Sequence, residues 1–260
     1  GGAPLNFAWY ASQMGAEVSL LSTVGNDQLG DRALNTILNT KIEAMVTRSE
    51  LPTGVTEVSS DGSFTIARGK AWENISVPIS SGRDLQLLYF GSLAQVSKEN
   101  RSSLKTLLDR NPKYVLVDLN LRANCYTKQT IEDCLYYATM LKVNEKEWNV
   151  VSEITGINEP ELLMRRKRLK AMAITRGKNG ATLYSAAGGI EFKPSSIELV
   201  DQTGAGDAFS AVLAVGILVN AHPAQALAAS CQAGAIVASK KGALVDLPKD
   251  ILEAYEEELS

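Results

Sequence analysis

One histidine in 260 residues is the first constraint on what this chain can do. His222 stands beside Pro223 in an expected turn, which leaves almost no room for a His-based triad or a His-rich metal centre. Cysteine is nearly as scarce. Cys125, Cys134 and Cys231 are odd in number and lack metal-ligand spacing, which rules out a disulfide framework and predicts reduced thiols in a cytoplasmic protein. Positive charge is not in excess either. A net charge of −3 and a pI near 5.4 remove the electrostatic footprint that nucleic-acid binding needs. The most basic run, Arg165-Arg166-Lys167-Arg168, reads as a solvated helix face. No apolar run reaches the roughly 20 residues that cross a bilayer, so no membrane span is expected and residues 208–221 read as a buried helix. No secretory signal is visible, and the Gly1-Gly2 start without an initiator Met reads as a chain whose upstream residues are absent.

What is present is ordinary globular material. With 45% hydrophobic and 21% charged residues and no internal repeat or low-complexity linker, the chain predicts a single domain over residues 1–260. A loop over residues 1–6 leads into a helix ending near Met14. A strand at 18–23 and a helix at 29–39 follow, the latter with Leu29, Ala33, Ile37 and Leu38 on one side. Residues 45–75 break this rhythm. Short β-like runs around Ser60-Asp61-Gly62-Ser63 predict a small antiparallel flap or an edge hairpin.

After Pro78 helices and strands alternate again. Strands are predicted at 87–90, 114–119, 140–143, 171–175 and 181–185, and helices at 98–108, 128–138, 145–154, 159–169, 207–219, 224–239 and 249–258. Alternation of this kind predicts an α/β fold: a doubly wound, mostly parallel sheet with helices on both faces. Polar residues recur where strands end: Gly91-Ser92, Asn120-Leu121-Arg122, Asn144 and Thr175-Arg176-Gly177. In such sheets ligands bind outside the carboxyl ends of the strands.

The stretch Val200-Asp-Gln-Thr-Gly-Ala-Gly-Asp207, opening into an apolar helix, carries the sharpest signal. Glycines let the backbone approach a ligand, and the first amides of a helix with its dipole form an anion site. A capping aspartate is the plain alternative. One cap, however, needs neither Gly204 and Gly206 together nor a second aspartate at Asp201. The pattern is neither Walker A nor Gly-x-Gly-x-x-Gly. It points to an anion at a helix start, and by itself no further.

Taken together, the motifs resemble those of the ribokinase-like (phosphofructokinase-B type) carbohydrate kinases. Asp201-Gln-Thr-Gly-Ala-Gly-Asp207 is similar to that family's C-terminal signature. Gly1-Gly-Ala-Pro-Leu-Asn6, continuing through Gly15 to Gly25-Asn-Asp-Gln-Leu-Gly30, is similar to its N-terminal one. Asn144-Glu-Lys-Glu147 resembles its Asn-x-x-Glu motif, and Thr175-Arg-Gly-Lys-Asn-Gly180 its nucleotide loop. The resemblance implies a kinase that moves the γ-phosphoryl group of ATP to a sugar hydroxyl, with 45–75 as a β lid over the sugar. Asp207 would be the general base, and the amides of Gly204, Ala205 and Gly206 would receive the negative charge. Asn144 and Glu147 would face Mg²⁺-bound phosphates through water, their plain reading being a cap and a solvent-facing acid. Thr175, Gly177, Gly180 and Thr203 would lie against the nucleotide. Asp201 and Thr203, with backbone of Val237, Lys240 and Gly242, match the positions of a monovalent cation such as K⁺.

Gly2, Asn6, Asn120 and Arg122 would contact the sugar, although Arg122 alone also reads as a surface ion pair. The runs at residues 71–75, 90–95 and 118–122 are most similar to bacterial fructokinases, which implies fructose as acceptor. Other implied acceptors are another small sugar, 2-keto-3-deoxygluconate or a nucleoside. A non-catalytic sugar- or nucleotide-binding regulator on the same fold is the rival of a different class. Members of the family often dimerise through their lids. They also carry a strand before the Gly-Gly pair that is absent here.

Overall fold

The computed structural model of the protein describes residues 2–58, 64–77 and 84–255. Its first helix, α1 (Ala3–Gln13), starts earlier than the sequence predicts. Gly2 takes the N-cap position at φ 102°, and Pro4 falls in the first turn, where its missing N–H would have no acceptor anyway. The expected loop over residues 1–6 is therefore mostly helix, and Asn6 is buried within it.

Strand β1 (Val18–Gly25), helix α2 (Gln28–Leu38) and strand β2 (Ile42–Ser49) form one βαβ unit, with β1 and β2 paired in parallel from Val18↔Ile42 to Gly25↔Ser49. This corrects two expectations. Residues 45–49 belong to this unit and not to an antiparallel flap. Of the predicted apolar side of α2 only Ile37 is buried, whereas Leu29 and Leu38 are 46% and 74% exposed. An antiparallel pair does follow, β3 (Thr56–Val58) with β4 (Phe64–Ile66), but its predicted turn at 60–63 lies outside the described residues.

The main sheet is built from β5 (Leu87–Phe90), β6 (Tyr114–Asp118), β7 (Met140–Asn144), β8 (Ala171–Thr175), β9 (Ala181–Ser185) and β10 (Gly188–Phe192), in spatial order β10-β9-β8-β7-β6-β5. Strands β5 to β8 pair in parallel, and β9 and β10 close one side antiparallel. Helices α3 (Lys98–Leu108), α4 (Lys128–Tyr137), α5 (Glu145–Thr155) and α6 (Pro160–Lys167) bury Leu104, Ile131, Leu135, Val151 and Leu163 against one face. The other face meets α1 together with α7 (Ala205–Leu218), α8 (Pro223–Ala238) and the short α9 (Lys249–Leu252). Helices thus cover both faces of a mostly parallel sheet, as the alternating pattern predicts.

Side-chain alternation along the strands decides what faces the site. Val115 and Val117 of β6 point to the α3–α6 layer, and Leu116 points to the α1/α7/α8 layer. Asp118 continues the second series. In β7 Leu141 and Val143 face one way and Met140 the other, so Lys142 falls on the same side as Asp118, its direct partner in register. Two ionisable groups therefore enter the apolar face at the carboxyl end of the sheet. They sit beneath α7, which is buried on nearly every side from Asp207 to Gly216.

Candidate active site

Helix α7 begins on Gly204, left-handed at φ 83°. A side chain there would be strained, and its Cβ would come to 2.7 Å from the Ala243 carbonyl oxygen. The Ala205 N–H turns back to donate to the Gln202 carbonyl at 3.2 Å, so of the three amides expected to face an anion this one is engaged in the turn. The amides of Gly206 and Asp207 occupy the next positions of the first turn, where no intrahelical acceptor exists and the helix dipole is positive.

Asp207 is no cap. The N-cap position is held by Gly204, and Asp207 stands two residues into the helix. It points inward to α1, where Asn6 Nδ2 donates to Asp207 Oδ2 at 2.8 Å across 201 residues of sequence. Burial pushes its pKa up to about 7, helped by the nearby Asp118 charge, while the Asn6 bond, Lys142 and Arg122 pull it down. A carboxyl group balanced near neutrality, at the mouth of an amide-lined helix end, is equipped to take a proton. Asn6 Oδ1 and the Tyr89 hydroxyl are buried without a hydrogen-bond partner. Tyr10, also on α1, donates to the Ala243 carbonyl at 2.7 Å, and Trp9 Nε1 donates to Val245 O at 3.1 Å, so the helix carrying Asn6 is tied to the loop that packs on Gly204.

Beneath this turn lies a buried cluster. Lys142 Nζ donates to Asp118 Oδ1 at 3.1 Å, and Ser210 Oγ donates to Asp118 Oδ2 at 2.9 Å. Asp118 is fully buried. Burial works against the Lys142 charge, but Asp118, Glu147 and Asp207 together outweigh it and hold the pKa above the ordinary lysine value. Breaking such a buried pair from one side costs about 3–5 kcal/mol, because the remaining charge is left uncompensated.

The Asn-x-x-Glu pair forms a capping box at the start of α5: Asn144 Oδ1 accepts from Glu147 N at 3.0 Å, and Glu147 Oε2 accepts from Asn144 N at 2.9 Å. Glu147 is buried and not a solvent-facing acid. Its Oε1 accepts from Leu121 N at 2.9 Å, which pins the loop after β6 that carries Asn120 and Arg122. Burial raises its pKa, with Lys142 opposing and Asp118 adding to the rise. Asn120 takes the left-handed conformation at φ 44°. Arg122 donates to the Leu121 carbonyl at 3.2 Å and lies within electrostatic reach of Asp207. Gly2 caps α1 through its carbonyl, which accepts from Asn6 N at 3.0 Å.

The remaining expected residues form two groups. Asp201 Oδ1 accepts from Thr203 N at 2.9 Å and Oδ2 from Gly242 N at 3.1 Å, while the Val237 carbonyl accepts from Lys240 N at 3.1 Å. These five residues therefore converge where α8 ends. Thr175 closes β8, and Gly177 opens the following turn in the left-handed region at φ 55°. Gly180 is buried instead, and a Cβ there would run into the Phe192 carbonyl at the end of β10. The second half of the N-terminal signature is scaffold. Asp27 Oδ1 accepts from Gly30 N at 2.8 Å and Thr53 Oγ1 at 2.6 Å, and Oδ2 accepts from Thr53 N at 2.8 Å, bonds that lower its pKa to about 2.

Residues 1–250 match the pfkB family carbohydrate kinases. The chain belongs to that family. It is 28% identical to the fructokinase of Klebsiella pneumoniae over an alignment of 289 positions that covers 97% of this chain and 90% of the relative. Among solved structures it resembles a Vibrio cholerae fructokinase in a fructose, ADP and calcium ion bound form, with a TM-score of 0.86, 23% identity, and coverage of 98% and 90% of the two chains. It also resembles an aminoimidazole riboside kinase from Salmonella enterica, with a TM-score of 0.81, 24% identity, and coverage of 100% and 92%. Likenesses at these identities fix the ribokinase-like fold. Among the described residues of this pfkB kinase, no helix is long and apolar enough to cross a membrane and no group of three or more His, Cys, Asp or Glu side chains could hold a metal.

Sequence reasoning did not single out Lys142, Ser210, Tyr10 or Tyr89. Lys142 carried the one available signal, a lone cation in an otherwise apolar strand.

Proposed function

We propose that this carbohydrate kinase phosphorylates a sugar hydroxyl with ATP and that fructose, giving fructose 6-phosphate, is its preferred acceptor. The observation that carries the reading is the Asp207 carboxylate, buried at the third position of α7, bonded to Asn6 and next to the first-turn amides of Gly206 and Asp207, which have no intrahelical acceptor. Asp207 removes the proton from the attacking hydroxyl. The sugar oxygen then forms a bond to the γ-phosphorus, the bond to the ADP oxygen breaks, and the proton leaves Asp207 to solvent. Charge on the transferring group falls on the Gly204 and Gly206 amides at the positive end of the helix, which is where phosphoryl transfer needs it. Asn6, with a buried Oδ1 that has no partner, is suited to accept a sugar hydroxyl, and Gly2, Asn120 and Arg122 would supply further contacts.

Thr175, Gly177 and Thr203 would line the nucleotide, with Gly180 supporting the turn beneath it. Mg²⁺, when bound, would neutralise phosphate charge. Asn144 and Glu147 fit it only through water, since their oxygens already accept the capping-box and Leu121 amides. The Asp201 carboxylate, whose oxygens already accept the Thr203 and Gly242 amides, would supply one oxygen ligand and the backbone carbonyls of Val237, Lys240 and Gly242 the others to a hard monovalent cation such as K⁺. Fructokinases among the relatives, and a fructokinase structure with bound fructose and ADP, favour fructose. An aminoimidazole riboside kinase of Salmonella typhimurium, 25% identical, keeps nucleoside-like acceptors in the comparison. The test is ADP release from ATP with fructose, ribose, 2-keto-3-deoxygluconate and adenosine in turn. Fructose should give the highest kcat/KM; a higher value for another acceptor would overturn the fructose assignment, and no sugar-dependent release would overturn the kinase reading.

A further inference from the structure

Lys142 belongs to none of the motifs described above, yet its ammonium lies directly under the reacting turn. A Cβ built on Gly206 would sit 3.1 Å from Lys142 Nζ, so the ammonium lies against the backbone whose amide faces the phosphoryl group. The same nitrogen donates to Asp118 at 3.1 Å, and Asp118 is fixed from the other side by Ser210, one helical turn along α7 from Gly206 and Asp207. A buried lysine that only balanced a structural aspartate would have no reason to lie under the anion-binding turn. A buried aspartate with no lysine would place an uncompensated negative charge beneath the base.

We propose that Lys142 is a positioning residue for phosphoryl transfer: held by Asp118, itself fixed by Ser210, under the first turn of α7, its positive charge offsets Asp118 and keeps Asp207 ionised as the phosphoryl group arrives. The inference rests on Asp207 being the base. The groups facing Asp207 are Asp118 from β6, Lys142 from β7, Arg122 from the loop after β6, Tyr10 and Asn6 from α1, and Tyr89 from β5. Of these, Asp118 raises its proton affinity and Lys142, Arg122 and the Asn6 bond lower it. Lys142 itself stays protonated, so its role does not depend on its own titration.

The test is the acid limb of the kcat–pH profile in Asp118→Asn, Lys142→Met and the double variant, each checked for folding by thermal unfolding. Asp118→Asn preserves the shape and removes the charge, and its limb should move to lower pH by at least half a unit. Lys142→Met should move the limb to higher pH by a similar amount, with the sugar and ATP KM values changed less than about threefold. The double variant should return close to the wild-type position. If Lys142→Met does not fold, the double variant is compared with Asp118→Asn: a limb displaced upward supports the proposal, and an unmoved limb overturns it. Unmoved limbs in folded single variants, or both moving in one direction, also overturn it. Asp207→Asn separates this from the underlying reading. If that variant still turns over, the base assignment fails; if it is inactive and the limbs stay put, only the role of Lys142 fails.

Discussion

Replacing Asp207 with asparagine should make the folded protein more stable while it removes activity. The carboxyl group goes from an ordinary pKa of 3.8 to about 7 in the fold. At about 1.4 kcal/mol per pKa unit, a rise of about 3 units sets an upper bound near 4 kcal/mol on the cost of folding with this group ionised. Relaxation around the site lowers that to about 2–4 kcal/mol. The sign follows from proton binding. Between pH 3.8 and 7 the folded state holds a proton that the unfolded state has released, so stability falls as pH rises through that window and levels off above it. Asparagine is close in shape, keeps an oxygen acceptor for the Asn6 amide, and never ionises. Calorimetric melting at pH 8.5 should therefore place Asp207→Asn roughly 5–15 °C above wild type. At pH 5 only about one unit of the window has been crossed, and the advantage should shrink to less than half. An asparagine variant that melts below wild type at pH 8.5, or with the same advantage at both pH values, would refute the reasoning.

Three other perturbations probe separate parts of the account. Gly204→Ala forces a side chain into a left-handed residue and against Ala243, so it should destabilise by about 2–3 kcal/mol in urea unfolding and lower kcat more than either KM. Glu147→Gln removes the charge and leaves one acceptor oxygen for two buried amides, so it can keep the bond from Asn144 or the bond from Leu121 but not both; it should destabilise by about 1–3 kcal/mol while the Mg²⁺ concentration for half-maximal rate rises several-fold; an unchanged Mg²⁺ requirement would count against the water-mediated role. Asp27→Asn should lower the melting temperature at pH 7. Because the folded pKa of Asp27 is depressed to about 2, its contribution is present above 3.8 and lost as pH falls toward 2, so the gap to wild type should close over that range.

The sequence made the scaffold legible wherever burial leaves a strong local pattern. Strands β8 and β9 match the predicted limits residue for residue, and helix α7, apolar apart from Asp207 and Ser210, is buried on almost every side. Weak or misleading local patterns failed. Strand β10 begins with two glycines and offers only Ile190 and Phe192 as apolar residues, so it shows little periodicity before β9 supplies a partner. On α2, Leu29 and Leu38 fit the helical spacing yet stay exposed, because burial there follows Ile37 and Gly30.

At the site, Gly204, Gly206 and Asp207 could be read from their own loop, since glycine and a first-turn acid are local signals. The partners of Asp207 could not. Asn6 reaches it only through the packing of α1 on α7. Lys142 meets Asp118 only because two separate strands take a register in which they are neighbours. The Asn-x-x-Glu spacing allowed either a cap or a phosphate-facing pair. The fold adds what spacing cannot carry, a bond from Leu121 that turns the cap into an anchor for the loop bearing Arg122.

The most direct measurement is sugar-dependent ADP release from ATP by wild type and by Asp207→Asn, with folding of both verified by calorimetry. General-base catalysis contributes about 10²–10⁴-fold, so the variant should lose at least 100-fold in kcat with its melting transition intact. Turnover within a few-fold of wild type would contradict the assignment of Asp207 as the group that takes the sugar proton.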